Sequence, residues 1–346
     1  MSTETADAAS PSLAPPPPPE PPAGPAAPRT FRARLLGCLR SGAAAGGRQA
    51  LWLLALMLPI SLAVQLLAHF RALGWVAGLI EPGMKLAGLP GETAAAMITA
   101  AALNIYSGIA ALGSIALTSR QVTILAFFML SFHNLPIEVA VQRRAGSSAW
   151  KIVALRLVAA VVGAVILNLV MPPGDGHAVA RGQAQPASDA LTAVLWAWAR
   201  GSAHLVGKVL VLVAALMILQ KVLAEFGIAR YLARAIGPAL TLLGLPRSTA
   251  FLWIAMNTLG LAYGAGVLIE EARSGELSRE EVELLNRSAA VCHSLLEDTL
   301  LFVAIGAWAV WIVVPRLVLA AAAVWGYRIW RRLVPAPAKA GPAGGC

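Results

Sequence analysis

Apolar residues dominate the chain in long runs at 51–68, 152–171, 205–224 and 308–326. Each approaches or reaches the about 20 residues that cross a hydrocarbon core. A different pattern stands at residues 278–298, which read SREEVELLNRSAAVCHSLLED ahead of the apolar LLFVAIGAWAV. Ser278 and Glu281 have capping-box spacing, which predicts a helix start. At about 100° per residue, counting from Glu283, the side chains of Asn286, Arg287, His293, Ser294, Glu297 and Asp298 fall within roughly 140°. Cys292 lies off that arc. The pattern predicts a greasy helix carrying one polar stripe.

Residues 118–138, TSRQVTILAFFMLSFHNLPIE, repeat the stretch. One register lays Thr118-x-x-Gln121 on Ser278-x-x-Glu281, His133 on His293, Glu138 on Asp298, Gly146 on Gly306 and Arg156 on Arg316. Upstream, GLPGETA from Gly88 matches GLPRSTA from Gly244. The chain reads as a duplication, which has to be recognised before any other fold assignment.

In chain order, residues 1–28 form a Pro/Ala-rich disordered tail with no apolar core of a signal peptide. A first repeat is expected over 29–171, a linker over 172–190, a second repeat over 191–333 and a flexible tail over 334–346. Within the first repeat a span is expected at about 50–70, an interfacial helix at 72–87 and further spans at 120–141 and 151–171. The second repeat carries a span at 204–224, an interfacial piece at 228–243 and a last span to about 327. Trp196 and Trp198 read as a short interfacial helix. Pro136 predicts a kink in the first polar-striped helix.

Two central segments, 92–119 and 248–271, hold Asn104, Tyr106, Ser107 and Gly108, and Asn257, Thr258, Gly260, Tyr263 and Gly264, at their middles. The arms on either side of the first are half a span long, so a re-entrant hairpin rivals a crossing. Charge favours the hairpin. If 92–119 crossed, Arg143, Arg144 and Lys151 would lie outside, against the positive-inside bias. Re-entrant hairpins leave about three crossings per repeat and make the repeats inverted, a transporter architecture.

Composition agrees with the pattern. The 346 residues are 58% hydrophobic and only 13% charged, with a mean hydropathy of +0.71, which excludes an ordinary soluble domain. The net charge of +10 sits at the ends of apolar segments and at both termini, so it sets orientation and does not point to nucleic acid. Cys38, Cys292 and Cys346 are too scattered for a disulfide framework or a CxxC metal site. No P-loop, dinucleotide fingerprint, nucleophile elbow or zincin helix is present, so no enzymatic chemistry is expected.

An ionisable group inside a membrane helix costs about 2.5–3.5 kcal/mol and marks a functional position by default. Glu138, Glu297 and Asp298 are therefore the expected ion-coupling carboxylates. His133 and His293 are expected as substrate or relay groups, and the hairpin tips, Asn104, Tyr106, Ser107, Asn257, Thr258 and Tyr263, as the centre of a substrate site. His293 and Glu297 at i, i+4, with His133 and Glu138, also have donor types suited to a divalent metal, although Cys292 faces away and no metal is assigned. The stretch from Glu280 to Arg287 reads as a solvated charged face. Packing polar pairs are the plain alternative throughout.

The paired GLPxxTA segments, MNTLGLAYGAG from Met256 and CHSLLEDTLLFVAIGA from Cys292 resemble the Gate-domain, or nucleoside recognition domain, membrane proteins. That family is grouped with concentrative nucleoside transporters, the membrane part of the ferrous iron transporter and the spore maturation membrane proteins. The resemblance spans about residues 48–327 and implies an all-α polytopic fold of two inverted repeats. The expected function is secondary-transporter-like movement of a small polar solute; a nucleoside is what the resemblance implies. Alternatives are a non-transporting membrane assembly or signalling protein and a divalent metal permease. Expected partners are the bilayer, the solute and a coupling proton or cation, with no cofactor and no nucleic acid; homo-oligomerisation stays open. A bacterial inner membrane with both termini cytoplasmic is the expected location.

Overall fold

The computed structural model describes residues 30–70, 81–112, 115–174, 178–180, 190–258, 268 and 275–334. Twelve of its helices are labelled here: α1 Phe31–His69, α2 Thr93–Ala102, α3 Ile105–Ala111, α4 Ser119–Ser131, α5 Leu135–Arg144, α6 Ala149–Val170, α7 Leu191–Glu225, α8 Ile228–Leu240, α9 Ala250–Thr258, α10 Arg279–Val291, α11 Leu295–Val303 and α12 Ala309–Leu333. The all-α expectation needs one addition. Leu117–Thr118 (β1) pairs antiparallel with Ala178–Ala180 (β2), so part of the expected linker is tied to the start of α4.

Among the described residues, Ala149–Val170, Ala309–Leu333 and the broken pair α4–α5, Ser119–Arg144, are long and apolar enough to cross a membrane. Their burial has a membrane protein's pattern. On α6, Ile152, Arg156, Ala159, Ala160, Gly163, Ala164 and Leu167 face inward, while Val158, Val161, Val162, Leu169 and Val170 are exposed and equally apolar. α12 repeats this, with Ile312, Arg316, Ala320 and Val324 inside and Val310, Val314 and Val318 outside. An apolar outer face suits lipid, and the small inner residues let backbones approach.

Two sequence expectations change. The basic stretch before the first apolar run is part of one continuous helix, α1, and the Trp196/Trp198 segment is the first part of α7 rather than a separate interfacial helix. α1 and α7 pack antiparallel. A Cβ on Gly42 would lie 2.7 Å from Ile218 Cα, and one on Gly46 would lie 2.5 Å from Ala214 Cα. This glycine pair four residues apart admits α7 backbone to backbone, and Arg34 closes the end of the pair on Glu225 at 2.8 Å. Gly46→Leu is expected to destabilise the protein by about 1–3 kcal/mol or more, since the obstacle is backbone and cannot rotate away. A melting temperature in detergent unchanged from wild type would contradict this packing. After Gly227, in the left-handed region, the chain bends by 76° into α8. α8 buries Ala229, Ala233, Gly237 and Leu240 and exposes Arg230 and Arg234, as an interfacial helix would. Of the expected interfacial piece at 72–87, residues 72–80 lie outside the described residues and 81–86 are helical.

α3 folds back on α2. A Cβ on Gly108 would stand 2.7 Å from Ala100 Cβ and 2.9 Å from Ala96 O, a proximity that a continuous helix forbids. Residues 93–111 thus form a hairpin, turning at Leu103 and Asn104. In the second segment α9 is described, but Gly260, Tyr263 and Gly264 lie outside the described residues.

Both expected capping boxes form. Thr118 and Gln121 close the start of α4, and Ser278 and Glu281 close the start of α10, where Ser248 also donates to Glu281. The two helical stretches also reach into each other's half. Trp308 N–H donates to Thr123 Oγ1 at 2.9 Å, and Ser147 Oγ donates to Glu283 at the position matching Thr123. Leu301, Phe302, Ala307 and Ile312 accordingly join the apolar core around α2 to α4, and Ala145 and Ala159 join the one around α9 and α10.

Candidate functional site

The polar stripe does not lie on one helix. α10 stops at Val291 and α11 starts at Leu295; in the matching place α4 stops at Ser131 and α5 starts at Leu135. Pro136 sits in the first turn of α5, after the break, and the second repeat breaks identically without a proline. The cause is a set of hydrogen bonds from outside the helix ladder. Asn134 and Ser294 adopt left-handed conformations, and their N–H groups donate to Ala100 O (2.9 Å) and Met256 O (3.0 Å), at the ends of α2 and α9. His133 Nδ1 donates to Met129 O at 3.0 Å and His293 Nδ1 to Ala289 O at 2.7 Å. Arg156 Nε takes Ser131 O at 3.0 Å, and Arg316 Nε takes Val291 O at 3.2 Å. Several backbone groups freed at each break are thereby paired within the protein, as the interior of a membrane protein favours.

The breaks bring together residues that a continuous helix would separate. Glu138 Oε1 lies 2.9 Å from His133 Nε2, and its Oε2 lies 2.5 Å from Arg156 Nη1 and 3.4 Å from His293 Nε2. The two imidazole rings are 5.3 Å apart, and all four side chains are buried. His133 Nδ1 faces Met129 O and its Nε2 faces Glu138 Oε1, so both ring nitrogens stand against oxygen acceptors.

The expected pairing of His293 with Glu297 is overturned, because the break intervenes. Glu297 Oε1 accepts from Tyr106 Oη at 3.2 Å, and its Oε2 accepts from Gln220 Nε2 at 2.8 Å. This second polar group joins the hairpin arm α3, the broken helix α11 and the long helix α7. Asp298 sits between the groups. It is 4% exposed and feels the charges of Glu297, Arg316, Glu138 and Arg156, yet its Oδ2 makes no hydrogen bond among the described residues. Nor does Arg316 Nη1, although the matching Arg156 Nη1 is paired with Glu138. Aspartate is one methylene shorter than glutamate, and the second ion pair stays open.

Other expected site residues serve locally. Asn104 caps α3, its Oδ1 accepting from Ser107 N at 2.9 Å, and Ser107 is buried with no partner for its Oγ among the described residues. Asn257 Nδ2 and Thr258 Oγ1 donate to carbonyls of their own helix, at Trp253 and Ile254. Tyr263 lies outside the described residues. Asn286 is buried and bonds Ser147 Oγ at 2.9 Å, while Glu283 and Arg287 pair with each other at 2.7 Å. An apolar cavity of about 420 Å³, lined by Met97, Ile98, Phe128, Phe132 and Pro136, lies beside the first break and carries none of the charged groups.

Arg156, Arg316 and Gln220 were not among the expected site residues. The two arginines had a legible signal, since each interrupts an apolar run at the same place in the repeat. Gln220 had only its isolation in a greasy helix.

The sequence model of the Gate family, described as nucleoside recognition, matches residues 50–147. That range holds the hairpin, the first break, His133 and Glu138. A Bacillus subtilis (strain 168) protein described as an uncharacterized membrane protein, YvoD, is 34% identical over 269 residues, covering 76% of this chain and 85% of the relative. No solved structure matches the chain.

Proposed function

The chain belongs to the Gate family of membrane proteins, and on that premise we propose that it is a secondary-transporter-like protein moving a small polar solute, of the nucleoside class that the family's description names. The observation that carries this reading is the open pair. In the first half a carboxylate and a buried guanidinium close on each other, whereas in the second Asp298 Oδ2 and Arg316 Nη1 are buried and have no hydrogen-bond partner among the described residues. Buried polar groups in that condition cost about 1–3 kcal/mol each and are retained where a ligand or ion completes them. Asp298 and Glu297 are the coupling carboxylates, and Tyr106 and Gln220 relate them to the hairpin and to α7. Glu138 serves mainly to hold Arg156. The protein works by binding and conformational exchange, without covalent chemistry.

Support for two inverted repeats comes from the hydrogen bonds at the two breaks, which recur at 133 and 293 and at 156 and 316, and from the folded-back hairpin α2–α3. The location that follows is a bacterial inner membrane with both termini in the cytoplasm. Gly146 and Gly306 have φ of 109° and 101°, so cysteine there would be strained, and exposed neighbours serve better. In a background without native cysteines, Arg144→Cys and Ala304→Cys are expected to be labelled from opposite sides of the membrane. Labelling from one side would refute inversion.

The function itself is tested by uptake into liposomes holding the purified full-length protein, with nucleosides and other small polar solutes under an imposed proton or sodium gradient. Gradient-dependent accumulation above protein-free liposomes is expected. No uptake across the panel by folded protein would favour the membrane-assembly alternative.

A further inference from the structure

We infer that His133, His293 and Glu138 form a binding site for one divalent transition-metal ion. One ligand atom from each of the three lies within 4.8 Å of the others, and all three residues are buried. Each imidazole is held by Nδ1 against a backbone carbonyl one turn back in its own repeat, at 3.0 and 2.7 Å. That bond fixes the tautomer and turns Nε2 toward the carboxylate, the outer-shell arrangement by which proteins orient metal-binding histidines.

Two nitrogen lone pairs and a carboxylate, all acceptors, then converge on one point. A single proton bridges only one pair, His133 Nε2 to Glu138 Oε1 at 2.9 Å. His293 Nε2, in a side chain 2% exposed, stays 3.4 Å from Glu138 Oε2 and makes no hydrogen bond among the described residues. A metal ion accepts from all three at once. The 2.9 Å between His133 Nε2 and Glu138 Oε1 resembles the spacing of neighbouring ligands around a small ion with bonds of about 2.0–2.2 Å, and one ligand atom from each of the three residues lies within 4.8 Å of the others.

Donor chemistry narrows the ion. Two imidazoles and one carboxylate suit Zn²⁺, Co²⁺ or Fe²⁺ and are too nitrogen-rich for Mg²⁺ or Ca²⁺. Cys292, next to His293, contributes no atom to the group, so a thiolate-seeking ion such as Cu(I) is disfavoured. Arg156 holds Glu138 Oε2 at 2.5 Å, leaving Oε1 as the freer ligand oxygen. The buried carboxylate of Asp298 stands near enough to feel the guanidinium's charge.

The site is separable from the transport proposal, because it would bind whether or not a solute moves. The test uses the purified full-length protein in detergent, stripped with chelator and titrated with Co²⁺, followed by ligand-field absorption and by metal content after desalting. One equivalent per chain is expected. His293→Gln and His133→Gln keep volume and leave the Glu138–Arg156 pair intact, so both should fold with wild-type circular dichroism. Each should weaken binding by more than the about 10–100-fold lost with an outer-shell partner, and Cys292→Ser should bind as wild type does. Absence of ligand-field bands from folded protein at millimolar Co²⁺ would mean that the cluster holds a proton only. Stoichiometric binding unaffected by both histidine variants would place the metal elsewhere; either result overturns the inference.

Discussion

Replacing Glu138 by glutamine is expected to destabilise the protein by about 3–5 kcal/mol, seen as a sharply lowered melting temperature in detergent. The side chain keeps its shape, so the effect is that of charge. Arg156 is fully buried, its Nε is committed to Ser131 O, its Nη2 has no partner among the described residues, and Glu138 neutralises it. Glutamine would leave an uncompensated cation in a low-dielectric interior and weaken the clasp on the first break. Because the loss arises from an orphaned charge, removing both charges should restore much of it. Glu138→Gln combined with Arg156→Met is expected to melt closer to wild type than Glu138→Gln alone. A double variant no more stable than the single one would show that the carboxylate does something other than balance Arg156.

Asp298→Asn, at the matching position, is expected to do the reverse: solute uptake falls to the level of protein-free liposomes while the melting temperature stays close to wild type. Among the described residues Asp298 Oδ2 makes no hydrogen bond and no ion pair closes on Arg316, so little that stabilises the fold is lost. A coupling carboxylate, in contrast, loses its role with its charge. Asp298→Glu sharpens the comparison. One more methylene lets the carboxylate reach Arg316 Nη1 as Glu138 reaches Arg156, so this variant should melt higher than wild type and still fail to transport. Were Asp298 a packing element, Asn and Glu would each change stability and uptake in proportion. Parallel measurement of both quantities on the three proteins separates the readings.

The chain alone determined several things, because they depend on local pattern. Apolar run length and the low charge set the membrane class. Ser278 with Glu281 and Thr118 with Gln121 set the helix starts, since an N-cap needs only residues three apart. The register joining His133 to His293 and Arg156 to Arg316 announced the repeated geometry, and polar residues at Asn104 marked a turn that α2 and α3 make. Only the tertiary structure decided where the polar helices break and which charges meet. Period counting assumes an unbroken helix, but Asn134 and Ser294 leave it because their N–H groups find carbonyls on α2 and α9, far away in sequence. That displacement sends Glu297 to Tyr106 and Gln220, Glu138 to Arg156 and both histidines, and leaves Asp298 Oδ2 without a partner among the described residues. A methylene's difference in reach between two matched carboxylates has no meaning until the guanidinium opposite each of them is in place.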